Sequence, residues 1–158
     1  KFTKKYNSCS LKHRNILREA IVLYADAYDD SNMLTCFLKS WTVLEILTGT
    51  HENETVMKRI TALVGQNQKT YEKVILKTLI HYRNKSVHEG NVDLHERMPC
   101  FITQHYIKAI ILYFHLRYAG NFKTIAEYNE VLDNINLDFK RMIAKKKVLE
   151  MAIKLNTR

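Results

Sequence analysis

The four glycines of this chain, Gly49, Gly65, Gly90 and Gly120, all fall where a run of helically spaced apolar residues stops. Glycine accepts the left-handed conformation that ends helices. Apart from these four and one proline, 158 residues contain none of the strong breakers that sheets joined by tight turns require. The chain is therefore expected to be all-α. Leu17, Ile21, Tyr24 and Tyr28 share one face of a helix over 10–28, with Ser10 as its cap. A second helix over 33–47 stops at Gly49, and Val56, Ile60, Leu63 and Val64 mark a shorter one before Gly65. Ile75, Leu79 and Tyr82 form the inner face of a long helix over 70–88, which Gly90 closes and a loop over 91–98 follows.

Pro99 suits the first turn of the next helix. That helix is expected to reach Tyr118, and it is apolar enough, through Ile102, Tyr106, Ala109, Tyr113 and Leu116, to be expected at the centre. Two amphipathic helices over 121–137 and 139–155 complete a bundle of about five to seven helices. A chain of this length makes one domain, 1–158, with a sizeable core. It begins at Lys1 rather than methionine, so a domain cut from a longer protein is expected.

Composition excludes several function classes. No run of about 18 apolar residues exists to cross a membrane, and no secretory signal is visible. Three widely spaced cysteines, Cys9, Cys36 and Cys100, do not make a disulfide framework, so the chain reads as intracellular and cytoplasmic. Cys36 and Cys100 sit among apolar residues and are expected in the core. The net charge is +9, and residues 138–158 hold seven cations against Asp138 and Glu150, a surplus of five. Such a segment, with Lys145, Lys146 and Lys147 at its middle, attracts polyanions such as RNA, or simply forms a solvated helix face.

The chemistry concentrates in Arg83-Asn84-Lys85-Ser86-Val87-His88. Arginine grips phosphate with a planar, permanently charged fork, and histidine exchanges a proton near neutral pH. The plain alternative is a helix C-terminus with its cations set favourably against the dipole. At about 100° per residue, His88 lies about 140° around the helix from Arg83. The two can face one cleft if the helix end loosens, or if a second subunit supplies half of the site. Upstream, Leu34, Leu38, Trp41 and Glu45 share an arc of their helix. A carboxylate on a core stripe is costly unless paired. Glu45 therefore either reaches water at the rim or holds a cation, for which Arg83 is the best candidate. His81, His88, Asp93, His95 and Glu96 lie close in sequence but lack metal-ligand spacing, so neither a metal nor another cofactor is expected.

The run Arg83 to His88 resembles the R-x4-H motif of HEPN domains, and the upstream helix with Trp41 and Glu45 is similar to the Apea-like branch of that family. The resemblance covers residues 10 to 120. It implies a HEPN-like helical bundle that pairs as a homodimer with the motifs facing one another. It also implies metal-independent endoribonuclease activity, in a defence or toxin–antitoxin setting with an antitoxin or other partner domain. On that implication Arg83, His88 and Asn84 are catalytic, Glu45 supports Arg83, and Lys85 and Lys145 to Lys147 contact RNA. His88 would serve as base for the ribose 2′-hydroxyl or acid for the departing 5′-oxygen, giving 2′,3′-cyclic phosphate and 5′-hydroxyl ends. A HEPN module that binds RNA or a partner protein without cutting is the alternative.

Overall fold

The computed structural model describes residues 2–89 and 98–157, and every regular element among them is helical. Gly90 and the loop expected over 91–98 lie outside the described residues, except for Met98. The helices are α1 (Phe2–Ser8), α2 (Leu11–Asp29), α3 (Met33–Thr48), α4 (Asn53–Ala62), α5 (Lys69–Glu89), α6 (Met98–His105), α7 (Leu112–Arg117), α8 (Ile125–Asn134) and α9 (Phe139–Asn156). A 3-10 turn, Gln66–Gln68, leads into α5, and a π-helical stretch, Tyr106–Ile111, joins α6 to α7.

The helix starts are set by side-chain caps. Ser10, Asn32, Thr124 and Asp138 each accept the backbone N–H three residues on, satisfying a donor that the first turn leaves orphaned. Thr124 also explains why α8 begins at Ile125 rather than near Asn121. Glu127, three residues beyond the cap, accepts the Lys123 N–H at 2.8 Å, much as in a capping box.

The central helix is α3, not the 98–117 rod. It packs against α2, α4, α5, α6, the π stretch and α8. Phe37, Trp41, Val43, Leu44 and Leu47 are all buried, so its apolar surface is wider than one stripe and leaves only the face with Thr35 and Thr42 open. Truncating Trp41 to alanine would cost about 3–5 kcal/mol. The 98–117 rod lies against α3 on one side and exposes Phe101 and Tyr113 on the other. Its π stretch buries Tyr106, Ile107 and Ile111, and the Tyr106 hydroxyl donates to Glu72 of α5. Cys9, Cys36 and Cys100 are buried in the core, and among the described residues none is in a disulfide. No residue of α9 is buried, so the segment expected to be amphipathic carries its apolar side chains in the open.

Candidate functional site

The site starts from the way α3 ends. Gly49 takes φ 64°, its N–H bonds Ile46 O, and the Thr50 N–H bonds Glu45 O. This is the Schellman pattern, which reverses the chain over the last helical turn. Glu45 sits on that turn, and the reversal carries His51 back across it. His51 Nδ1 comes within 2.8 Å of Glu45 Oε2. The other carboxylate oxygen, Oε1, lies 3.5 Å from Arg83 Nη2 on α5.

Glu45 is therefore not at a rim reaching water. Its side chain is 7% exposed, while those of Arg83 and His51 are 28% and 86% exposed. A buried carboxylate demands partners, and this one holds two groups at the surface. The Arg83 contact is long for a hydrogen bond and acts chiefly through charge. The His51 contact is short and fixes a tautomer. A carboxylate only accepts, so Nδ1 carries the proton.

The arginine has a second anchor. Arg83 Nη1 donates to Asn84 Oδ1 at 3.4 Å, and Asn53 Nδ2 donates to the same oxygen at 3.2 Å. Asn53 is the first residue of α4, so this amide pair ties α4 to α5 beside the guanidinium. The start of α4 also carries Glu52 and Glu54, which suit a helix N-terminus but repel an anion. Positive charge for a phosphate must therefore come from Arg83.

The other residues named from the sequence fall as follows. Lys85 and His88 are exposed on α5. The helix runs unbroken to Glu89, so loosening of its end does not bring His88 round to Arg83. The two keep the roughly 140° separation of a regular helix. Lys145, Lys146 and Lys147 are exposed on α9 but, being consecutive, project in three directions. Lys145 Nζ donates to Asn134 Oδ1 at 2.7 Å, and Lys146 lies 3.8 Å from Glu150. Among the described residues no group of His, Cys, Asp and Glu could hold a metal ion. Asp93, His95 and Glu96 lie outside them.

His51 is the member that sequence spacing misses. It belongs to no motif, and its neighbours in sequence, Thr50 and Glu52, are polar. The signal that could have found it is Gly49: a glycine-terminated helix doubles back, and residue 51 then returns to the last turn. Compared with protein-family models, with curated proteins and with solved structures, the chain matches none.

Proposed function

We propose that this protein is a metal-independent endoribonuclease of HEPN type, acting through Arg83, Asn84 and His88 with Glu45 in support. The observation that carries the reading is the contact between the buried Glu45 carboxylate and the partly exposed Arg83 guanidinium. Each terminal nitrogen gives one N–H to the protein, Nη2 to Glu45 and Nη1 to Asn84, and the second N–H on each remains for a phosphate. The reaction needs no protein nucleophile, because the ribose 2′-hydroxyl attacks its own 3′-phosphate. Arg83 stabilises the crowded anionic phosphorus centre, Asn84 orients the guanidinium, and His88 moves a proton. Since α5 keeps Arg83 and His88 on different sides, the reading includes a homodimer in which one subunit's histidine meets the other's arginine. A defence or toxin–antitoxin setting, with a protein partner that restrains the activity, belongs to the same proposal.

The same separation on an unbroken α5 also favours a second reading, a module that binds RNA without cutting it. One experiment separates them. A labelled single-stranded RNA is incubated with the protein in excess EDTA, and the products are examined for 2′,3′-cyclic phosphate ends. Cutting that vanishes in Arg83→Ala, and is not restored by Arg83→Lys, supports the nuclease, since lysine lacks the fork. Salt-sensitive retention of intact RNA supports the binding module. Neither cutting nor retention removes both.

A further inference from the structure

His51 presents an imidazole in an unusual position. Its side chain is 86% exposed, yet Nδ1 is anchored at 2.8 Å to a carboxylate that is itself buried. With the proton on Nδ1, the neutral ring carries its lone pair on Nε2. Among the described residues nothing engages Nε2, so it faces solvent as a proton acceptor. The buried carboxylate also steadies the imidazolium that forms when Nε2 takes up a proton. This is the arrangement in which an acidic residue orients a histidine for base catalysis.

The same carboxylate holds Arg83 through its other oxygen. One buried anion thus holds both a proton acceptor and a phosphate-gripping cation, one on each of its carboxylate oxygens. They come from separate parts of the tertiary structure, the turn after α3 and the last third of α5, and they meet within one chain. Arg83 and His88 do not meet in this way.

We propose that His51, oriented by Glu45, is the general base of the site, a role that rests on the endoribonuclease reading and leaves His88 as the acid. His51 Nε2 takes the proton of the ribose 2′-hydroxyl as the 2′-oxygen bonds to phosphorus. The bond from phosphorus to the 5′-oxygen breaks, and that oxygen takes a proton from the protonated His88 ring. Arg83 binds the non-bridging oxygens throughout. The two imidazoles end with one proton exchanged between them, and solvent resets both.

The test uses two RNA oligonucleotides of one sequence, one natural and one with sulfur replacing the bridging 5′-oxygen at the cleaved linkage. A thiolate leaves without protonation, so the sulfur substrate needs the base but not the acid. His51→Ala is expected to lose about 100-fold or more on both substrates, and to recover in part when free imidazole is added. His88→Ala is expected to lose activity on the natural linkage and regain it on the sulfur one. His105→Ala, an exposed histidine of α6, is the control and is expected to cut normally. Thermal melting checks that His51→Ala remains folded, as its exposure predicts. If His51→Ala cuts the sulfur substrate at the unmodified protein's rate, the base assignment is overturned while the nuclease reading stands. If the unmodified protein cuts neither RNA, both are overturned.

Discussion

His13 Nε2 and His115 Nδ1 lie 3.2 Å apart in the core, joining α2 to α7. His115 Nε2 lies 2.8 Å from Leu47 O, and a carbonyl only accepts, so that nitrogen carries a proton. In the neutral ring Nδ1 then accepts from His13, which leaves the His13 Nδ1 lone pair buried without a partner. Neither ring can take a further proton without breaking this chain or desolvating a charge. Burial lowers the pKa of both, that of His115 from 6.5 to about 4. Unfolded, each would protonate near the ordinary value, so acid favours the unfolded chain. The stability this pair contributes is present above pH 6.5 and falls as the pH drops toward 4. For His115 the loss is on the order of 3 kcal/mol by that lower limit. Thermal melts from pH 7 to 5 should show the decline. His115→Gln, which can still donate to Leu47 O, should flatten it, and an unchanged slope in that variant would refute the assignment.

Arg59 fixes α4 to the rest of the bundle in two places. Its Nη2 and Nε reach Asp133 of α8 at 2.7 and 3.1 Å, and its Nη1 donates to Thr48 O at the end of α3. The guanidinium is 13% exposed, and it holds the Asp133 carboxyl below its usual pKa. Arg59→Ala leaves a carbonyl and a carboxylate short of a donor and should cost about 2–3 kcal/mol. Arg59→Lys cannot make all three bonds and should recover less than half of that. Denaturant midpoints would check both values, and equal stability of Lys and Arg at this position would show that the fork geometry does not matter. The pair contributes stability above the ordinary carboxylate range. The gap between the unmodified protein and the Arg59→Ala variant should therefore shrink as the pH falls through the lowered Asp133 pKa.

Gly49 permits the turn that carries His51 to Glu45. A Cβ at this position would collide with Asn129 Nδ2, on a buried side chain of α8. It would also have to be held at φ 64°, which side chains disfavour. Gly49→Ala should therefore destabilise by about 1–3 kcal/mol. Its melting temperature should fall more than that of Gly65→Ala, since a Cβ on Gly65 meets nothing within 4 Å. A smaller effect at 49 than at 65 would remove the steric argument.

The fold was open to sequence reasoning because helical spacing and glycine ends are local signals. Ser10, Asn32 and Gly49 mark helix limits that differ from the expected ones by a residue or so. Tertiary neighbours are a different matter. The apolar count over 99–118 points to a central helix, but residues such as Phe101 and Tyr113 face outward, and α3 takes the centre. For the site, an acidic residue on the α3 core stripe leaves two readings open, a rim carboxylate or a partner for Arg83, and the burial of Glu45 decides for the second. His51 and the His13–His115 pair could not be found that way. Their partners are set by a reversal after Gly49 and by a contact between residues 102 positions apart, and periodicity reports neither.

The last helix, α9, permits a sharper statement about RNA than the run Lys145 to Lys147 does. Consecutive residues on a helix lie about 100° apart, so those three cannot share a surface. Lys140, Lys147 and Lys154 recur every seven residues, which keeps them within about 40° of one another. They form one basic stripe along a helix with no buried residue. Lys145 and Lys146, by contrast, are engaged by Asn134 and Glu150. If α9 tracks a phosphate backbone, the stripe should dominate the electrostatic term. Replacing Lys140, Lys147 and Lys154 with glutamine should weaken single-stranded RNA binding and lower the magnitude of the log–log salt slope by about 2. Replacing Lys145 and Lys146 should change the slope by less than half as much. Binding titrations at a series of salt concentrations measure both. Equal slopes for the two variants would mean that α9 attracts RNA as a diffuse cloud of charge rather than along one face.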